Sequence, residues 1–595
     1  MTTWVPKRSF EECYRILCGP GELHEIETKL VGDQVQRVYK NMWPSLRDFW
    51  LWATSEYKDA TYIVFEKHRR TYNEAFQRSI VIAAMLRARY NIQKGDRIII
   101  CSRNFPEYLP TFWASQLIGA VCVFMNAWLP IEPSKHCISN TQAKLVIADP
   151  ERADMLEPFT NEIAKSAGTV GFLVWEQQEG KGKWAGFDLW TQVVEGQPAV
   201  DTHAFLHELP ALGPEDNAAI CFTSGTTGLP KGVLSTHRQF LTNVLNVMVS
   251  TRLASLRKGE SYSRDLGIPG PQKAILISVP LFHVTGMTSM SMLGTLRGLK
   301  LVFMRRWVTD EGANLIKREN VAVAGGVPSM VSDLADSSAA GHPLDGLLFG
   351  GASAPDWLAK RAREAFPAAM SSQAYGLTET NSVAVGFAGE DYDYRPTSAG
   401  RASPVNDILV VKGDKVVLPG ELGEVWLRGP NVMKCYWNDP AATAKAVTRD
   451  GWMRSGDIGY LDHEGFLYIR DRIKDLIIRG GENVDSVSVE NAVSADERLL
   501  EVAAVGVPDA RLGELVTVVA CVKPAFKGKV REEEVIESAS KRLAKFAVPV
   551  MIVLQDERLP RTPSAKILKT DLRHLAKAEW ERRRGNATSQ VRPKL

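Results

Sequence analysis

Seven short apolar runs, RIIICS, LVIADP, GFLVWE, AILISVP, KLVFM, VAVAGGVP and GLLFGGAS, alternate with helical patterns between about residue 70 and residue 390. Strands of that length separated by helices are the mark of parallel or mixed sheets covered by helices, so an α/β architecture is expected. Several runs end in glycine, proline or small residues. A crevice beyond the strand ends can admit a ligand there, and function is expected to gather at those ends.

The pattern changes near residue 400, where ILVVKGDKVVLPGELGEVWLRG reads as a β-meander with a Lys-Gly-Asp turn and a Pro-Gly turn, followed by a hairpin in GYLDHEGFLYIRDR. After Asp475 the order becomes helix (486–495), two strands (VAAVGV and LVTVVACVKP), helix (532–545) and strand (PVMIVL). This is a compact α+β unit of roughly 120 residues. The boundary is expected between Asp471 and Lys474. The fold class is thus a large N-terminal domain of mixed sheets covered by helices plus a β-meander or barrel, with a small C-terminal α+β domain.

A chain of 595 residues is too long for one core, and 45% hydrophobic residues, 24% charged residues and a net charge of +3 describe an ordinary soluble globular protein. Nucleic acid is not implied. Eight cysteines are scattered without C-x-x-C pairs and MTTWVPKRSF lacks an apolar signal core, so reduced intracellular thiols are expected. The run TFWASQLIGAVCVFMNAWL resembles a membrane span, but Ser115, Gln116 and Asn126 interrupt it and Gly119 splits it. It reads as a buried helix turning into a buried strand. The end, ERRRGNATSQVRPKL, reads as a solvated, partly disordered basic tail.

Between the runs AAICF and GVL lies a loop rich in small donors: Thr223, Ser224, Gly225, Thr226, Thr227 and Gly228, closing on Lys231. Backbone N–H groups freed by glycine, hydroxyls and one ammonium suit a polyphosphate, and a nucleoside triphosphate is the first expectation. The pattern G-x-x-x-x-G-K-[ST] is absent, since Pro230 and Gly232 flank Lys231. The flanks are strands, and an amphipathic helix begins only after Ser235 and Thr236, so ATP would be gripped differently.

Four further stretches follow in order: YGLTET (375–380), RSGDIGY (454–460), DRIKDLIIRGGENV (471–484) and PRTPSAKILK (560–569). With the loop, they make the chain resemble the adenylate-forming superfamily of acyl-CoA synthetases, 4-coumarate-CoA ligases and luciferases over about residues 45–575. The resemblance implies an N-terminal extension (1–44), an AMP-binding domain (45–471), a mobile C-terminal domain (472–578) and a basic tail (579–595). It also implies two half-reactions. A carboxylate attacks the α-phosphate of ATP to give acyl-adenylate and pyrophosphate, then the thiol of coenzyme A displaces AMP.

On that resemblance the loop from Thr223 to Lys231 holds the β- and γ-phosphates, and Glu379 with Thr223 binds Mg²⁺, a hard cation that takes oxygen ligands. Gly350, Gly351 and Ala352 with Tyr375 sandwich the adenine, and Gly376 and Thr378 belong to the same cofactor-binding set. Asp457 accepts the ribose hydroxyls, and Arg472 reaches the same ribose. Lys566 neutralises the charge that builds on the α-phosphate, an effect of about 3 to 4 kcal/mol by analogy with lost oxyanion donors. The residue before it, commonly glycine, is Ala565, so a turn with positive φ would be strained by about 1 to 2 kcal/mol. Lys474 is the hinge of a swing that exchanges Lys566 for the loop carrying Gly480 and Gly481, past which a pantetheine arm runs.

Phe282-His283 stands where amino-acid-activating relatives carry an aspartate for the substrate ammonium, so an amino acid is not the expected substrate. His283 is either a satisfied core histidine or a gate near the forming adenylate. With Gly325, Gly326, Val327 and Pro328 it walls a small apolar pocket suited to a fatty or aryl acid. The leading reading is an acyl-CoA ligase using ATP, Mg²⁺ and coenzyme A. The alternatives are a freestanding enzyme that loads a separate carrier protein, and a luciferase-like use of the adenylate. The last residues, Pro593-Lys594-Leu595, resemble the peroxisomal S-K-L address, so an import receptor is a possible partner; a peroxisomal location is expected, with cytoplasm the alternative.

Overall fold

The computed structural model describes residues 4–195, 197, 200–223, 229–351, 354, 356–480, 482–562 and 565–590, without side chains at 356 and 585–590. Each apolar run named above contains a strand. In the first large sheet, eight strands long, Arg97–Cys101 lies between Val121–Phe124 and Leu145–Ala148, with Gly171–Val174 beyond, all parallel. Asn217–Phe222 joins Val121–Phe124 in parallel and Gly232–Thr236 in antiparallel, so the donor-rich loop spans a hairpin at the strand ends. The run that resembled a membrane span is helix Tyr108–Ile118 and strand Val121–Phe124, separated by Gly119 at φ 72°. No described helix is long and apolar enough to cross a membrane.

The second large sheet has nine strands, with parallel Lys300–Phe303, Ala274–Ile277, Val321–Gly326, Gly346–Gly350 and Met370–Tyr375 at its centre. Helix His237–Arg257 packs between the two sheets. Thr236 caps it, with Gln239 completing the capping box, so the helix begins directly after the strand that leaves the loop. The meander is an antiparallel five-stranded sheet in which Met453–Leu461 pairs with Leu467–Arg472.

In the C-terminal unit Leu499–Asp509 and Gly513–Val522 form a long antiparallel ladder, and Met551–Gln555 adds in parallel. Helices Ser486–Ser494 and Glu532–Ser540 pack on one face, where Val489, Val493, Val535 and Ala539 are buried. The second of these helices stops five residues before the expected end, Lys545. The basic tail also departs from expectation. Helix Lys569–Gln590 runs through most of it, because Leu572 and Ala576 are buried against Val505 and Val519. Arg583 pairs with Glu579 and with Glu532 (2.8 Å each) rather than standing solvated.

The N-terminal extension is folded as well. Helix Phe10–Leu17 buries Cys13 and Leu17 against Val249, Leu253 and Leu256, and hairpin Ile26–Val31/Gln34–Tyr39 follows. The Tyr39 hydroxyl donates to Asn246 Oδ1 (2.8 Å), the entry to a buried asparagine network. Asn246 donates to the Val383 carbonyl (2.9 Å) and to Asn406 Oδ1 (3.0 Å), and Asn406 donates to Asn431 Oδ1 (2.6 Å). Asn431 in turn donates to the carbonyls of Thr380 (2.8 Å) and Val383 (3.1 Å). Two buried amides, Asn246 and Asn431, thus hold the backbone between Thr380 and Val383 by three hydrogen bonds. Replacing Asn431 with alanine orphans several of these groups. A loss of about 2 to 4 kcal/mol in the unfolding free energy of the large unit is expected in denaturant melts, whereas a loss below about 0.5 kcal/mol would mean the network carries no weight.

Candidate active site

The base of the donor-rich loop is closed by its own backbone. Thr223 N–H donates to the Lys231 carbonyl (2.9 Å), and Lys231 N–H donates to Thr223 Oγ1 (3.3 Å). Ser224, Gly225, Thr226, Thr227 and Gly228 lie outside the described residues. Lys231 Nζ sits 5.1 Å from the centre of the Tyr436 ring, and the Tyr436 hydroxyl donates to Glu379 Oε1 (2.6 Å). The loop's lysine and the carboxylate are thereby joined through one aromatic side chain. Burial and the Glu379 charge together push the Tyr436 phenol far above its ordinary range, so it stays a donor.

Glu379 sits in the single turn Thr378–Thr380, between a glycine and two strained residues. A β-carbon on Gly376 would overlap the Ser382 carbonyl oxygen at 1.4 Å, and Asn381 and Ser382 have φ of 53° and 102°. Such conformations persist only when their surroundings over-determine them, which is the task of the asparagine network. Among the described residues no group of three or more His, Cys, Asp or Glu could hold a metal. Glu379 offers the carboxylate and Thr223 the hydroxyl that would hold Mg²⁺, an ion that keeps waters and substrate phosphates as its other ligands.

Asp457 and Arg472 face each other across adjacent strands, with Arg472 Nε 3.1 Å from Asp457 Oδ1. The other oxygen, Oδ2, accepts from the Tyr375 hydroxyl (2.7 Å). Burial raises the Asp457 carboxyl, while Arg472 and Tyr375 pull it back. Two lone pairs per oxygen leave it room to accept further donors. Tyr375 is therefore oriented by its hydroxyl, and it follows Ala374, which pairs with Gly350 at the end of the neighbouring strand. Ala352 lies outside the described residues.

Lys566 reaches across from the C-terminal unit. A β-carbon on Gly351 would lie 3.6 Å from Lys566 Cε, an ordinary van der Waals contact, so the lysine stem packs directly over this strand end. Burial, then the Arg472 cation, lower the ammonium to a pKa of about 8, and Asp457 and Glu379 oppose them. The preceding Ala565 has φ 61°, the strained turn the sequence implied. His283 lies near the same ammonium. Burial and Lys566 lower its pKa to about 3, so the ring is neutral, and its Nε2 is enclosed with no hydrogen-bond partner among the described residues.

Val327 and Pro328 start helix Pro328–Ala335 directly after strand Val321–Gly326. At Gly325, φ 131°, a β-carbon would meet the Leu348 carbonyl oxygen at 2.2 Å, so the strand end must be glycine for the two backbones to close. Gly326 and Val327 face the same core as Phe282 and Met330. The structure does not bring Gly480 to this cluster. Its N–H donates to the Leu512 carbonyl (2.7 Å) within the C-terminal unit, and Gly481 lies outside the described residues. Lys474 occupies the turn between strands Leu467–Arg472 and Ile477–Arg479, where burial and Arg472 lower its ammonium.

Sequence reasoning missed Tyr436, Asn104 and Trp128. Asn104 accepts from Leu281 N–H (2.8 Å) and donates to the carbonyls of Val279 (3.1 Å) and Met304 (3.0 Å), fixing the loop that carries His283. Trp128 packs edge-on against Phe282. Each is a single residue far in sequence from its partner, and no spacing announces it.

Set beside known proteins, the chain matches the model of the AMP-binding enzyme family over residues 50–437 and that of the AMP-binding enzyme C-terminal domain over residues 488–566. It belongs to this adenylate-forming family. It is similar to a long-chain-fatty-acid–CoA ligase of Mycobacterium tuberculosis, 32% identical over 81% of this chain and 88% of the relative. A feruloyl-CoA synthase of an Amycolatopsis species is 33% identical over 84% and 93%. The o-succinylbenzoate-CoA synthetase of Bacillus subtilis, solved with its acyl-adenylate intermediate, superposes with a TM-score of 0.71 at 26% identity, covering 89% of this chain and 98% of that one.

The lowered Lys566 ammonium sets a pH limit. A lysine that must be charged to neutralise phosphate loses that charge as pH rises through its own pKa. The kcat/KM for adenylation is therefore expected to fall with a one-proton slope above about pH 8. Thioester formation from preformed acyl-adenylate should lack this limb, and a flat adenylation profile to pH 10 would contradict the assignment.

Proposed function

We propose that this chain is an acid–thiol ligase that converts a fatty or aryl carboxylic acid to its acyl-adenylate and then to acyl-coenzyme A. The observation that carries the reading is Lys566, delivered from the C-terminal unit onto Gly351 and into the field of Asp457 and Glu379. In the first half-reaction a carboxylate oxygen bonds to the α-phosphorus of ATP and the bond to pyrophosphate breaks. Lys566 offsets the negative charge that grows between the reacting oxygens, and Lys231 with the Thr223 loop follows the departing pyrophosphate. Mg²⁺, when bound through Glu379, neutralises phosphate oxygens.

Asp457 and Arg472 fix the ribose, and the strand end at Gly350 with Tyr375 borders the adenine. In the second half-reaction the coenzyme A thiolate attacks the acyl carbon, the C–S bond forms, the C–O bond breaks and AMP leaves. Neutral His283 and the walls at Gly326, Val327 and Pro328 suit an uncharged acyl group and offer no partner for an ammonium. A panel with ATP, Mg²⁺, coenzyme A and fatty acids or aryl acids, reading AMP release, tests the reading. AMP release that requires a separate carrier protein instead of coenzyme A would move the acceptor to that partner.

Lys566→Ala is expected to abolish acyl-adenylate formation, with thioester formation from synthetic acyl-adenylate and coenzyme A nearly intact. Equal loss of both half-reactions would remove Lys566 from the role given to it. The terminal Pro593-Lys594-Leu595, outside the described residues, supports a peroxisomal address by its likeness to S-K-L. Fused to a fluorescent protein, the last twelve residues are expected to give punctate signal that is lost with Leu595. Diffuse signal in both fusions would mean that the tail carries no address.

A further inference from the structure

Two arginines that precede Lys566 in the chain, Arg558 and Arg561, grip the large unit. Arg558 Nη2 donates to Asp333 Oδ1 (3.0 Å). Arg561 Nη1 donates to Ser329 Oγ (2.9 Å) and also to the Ala565 carbonyl (2.5 Å). Both acceptors on the large unit belong to helix Pro328–Ala335, whose first turn walls the acyl pocket. The grip is braced from both sides. Trp307 Nε1 donates to Asp333 Oδ2 (2.9 Å), which orients the carboxylate from within the large unit. Glu501 on the C-terminal sheet lies 2.9 Å from Arg561 Nη2 and accepts from Leu559 N–H (2.8 Å).

We propose that Arg558 and Arg561, with Asp333 and Ser329, form a latch that holds the C-terminal unit in the pose that places Lys566 in the cleft. They are positioning residues that act through Lys566. This rests on the adenylating role given to that lysine above. The same guanidinium that holds Ser329 also holds the carbonyl of Ala565, so the latch supplies the fixed surroundings that a left-handed alanine requires. Because the arginines lie within eight residues of Lys566, any turn of the unit that withdraws the lysine withdraws them too and breaks the latch. It therefore favours the first half-reaction and does nothing for the second.

Arg558 is half exposed (side chain 52%), so Arg558→Ala leaves the fold in place. Adenylation, read as acid-dependent ATP–pyrophosphate exchange, is expected to slow by roughly twofold to fivefold, as for a partly exposed ion pair. Thioester formation from synthetic acyl-adenylate should stay at or above the wild-type rate, and Arg558→Lys should keep most of the exchange activity. In parallel, hydrogen exchange on the ligand-free protein should quicken at the Ala565 and Lys566 amides, whose bonds to Thr562 close the turn. Equal slowing of both half-reactions, or no slowing of either, would overturn the latch and leave the ligase reading standing. If wild-type protein made no acyl-adenylate, the ligase reading would fall, and unchanged exchange at those amides in Arg558→Ala would still overturn the latch by itself.

Discussion

An ammonium shielded from bulk water where two units meet is the constraint on which this molecule turns. Lys566 belongs to the small unit, yet the charges that tolerate it, Asp457 and Glu379, belong to the large one. An isolated buried cation is costly, and its attraction to two carboxylates offsets only part of that cost, as the lowered pKa of about 8 records. Nucleotide phosphates would complete the compensation. The lysine is held in place by contacts outside the cleft.

Those contacts are spread over the fold in a consistent way. The turn bearing Glu379 is strained at Asn381 and Ser382 and is held by buried asparagines that reach back to Tyr39. The turn bearing Lys566 is strained at Ala565 and is held by Arg561. In both cases the reactive side chain stands on backbone that would not adopt its conformation alone. Each set of holding groups is tied to a rigid element: Asn246 sits on helix His237–Arg257, and Ser329, which anchors Arg561, sits on helix Pro328–Ala335.

Much of this was legible in the sequence where local rules apply. Apolar runs bounded by glycine and proline located the sheet strands, the Thr236 cap fixed where the helix follows the phosphate loop, and the missing glycine before Lys566 pointed to the strain at Ala565. The rest depends on partners distant in the chain. Tyr436 meets Glu379 across 57 positions and Tyr39 meets Asn246 across 207, and no periodicity or spacing links such pairs. The tail was misread for a related reason. Its charges look solvated one by one, but Leu572 and Ala576 recur at helical spacing and find a core on the C-terminal sheet, which draws the arginines into ion pairs.

The central claim is that a carboxylate oxygen of the substrate becomes bonded to the α-phosphorus of ATP before any thiol reacts. Isotope transfer reads this directly. With an acid labelled by ¹⁸O in its carboxylate, together with ATP, Mg²⁺ and coenzyme A, the AMP released is expected to carry one ¹⁸O atom per turnover, seen by mass spectrometry. Unlabelled AMP, or label found in pyrophosphate or inorganic phosphate, would contradict the acyl-adenylate and with it the role of Lys566.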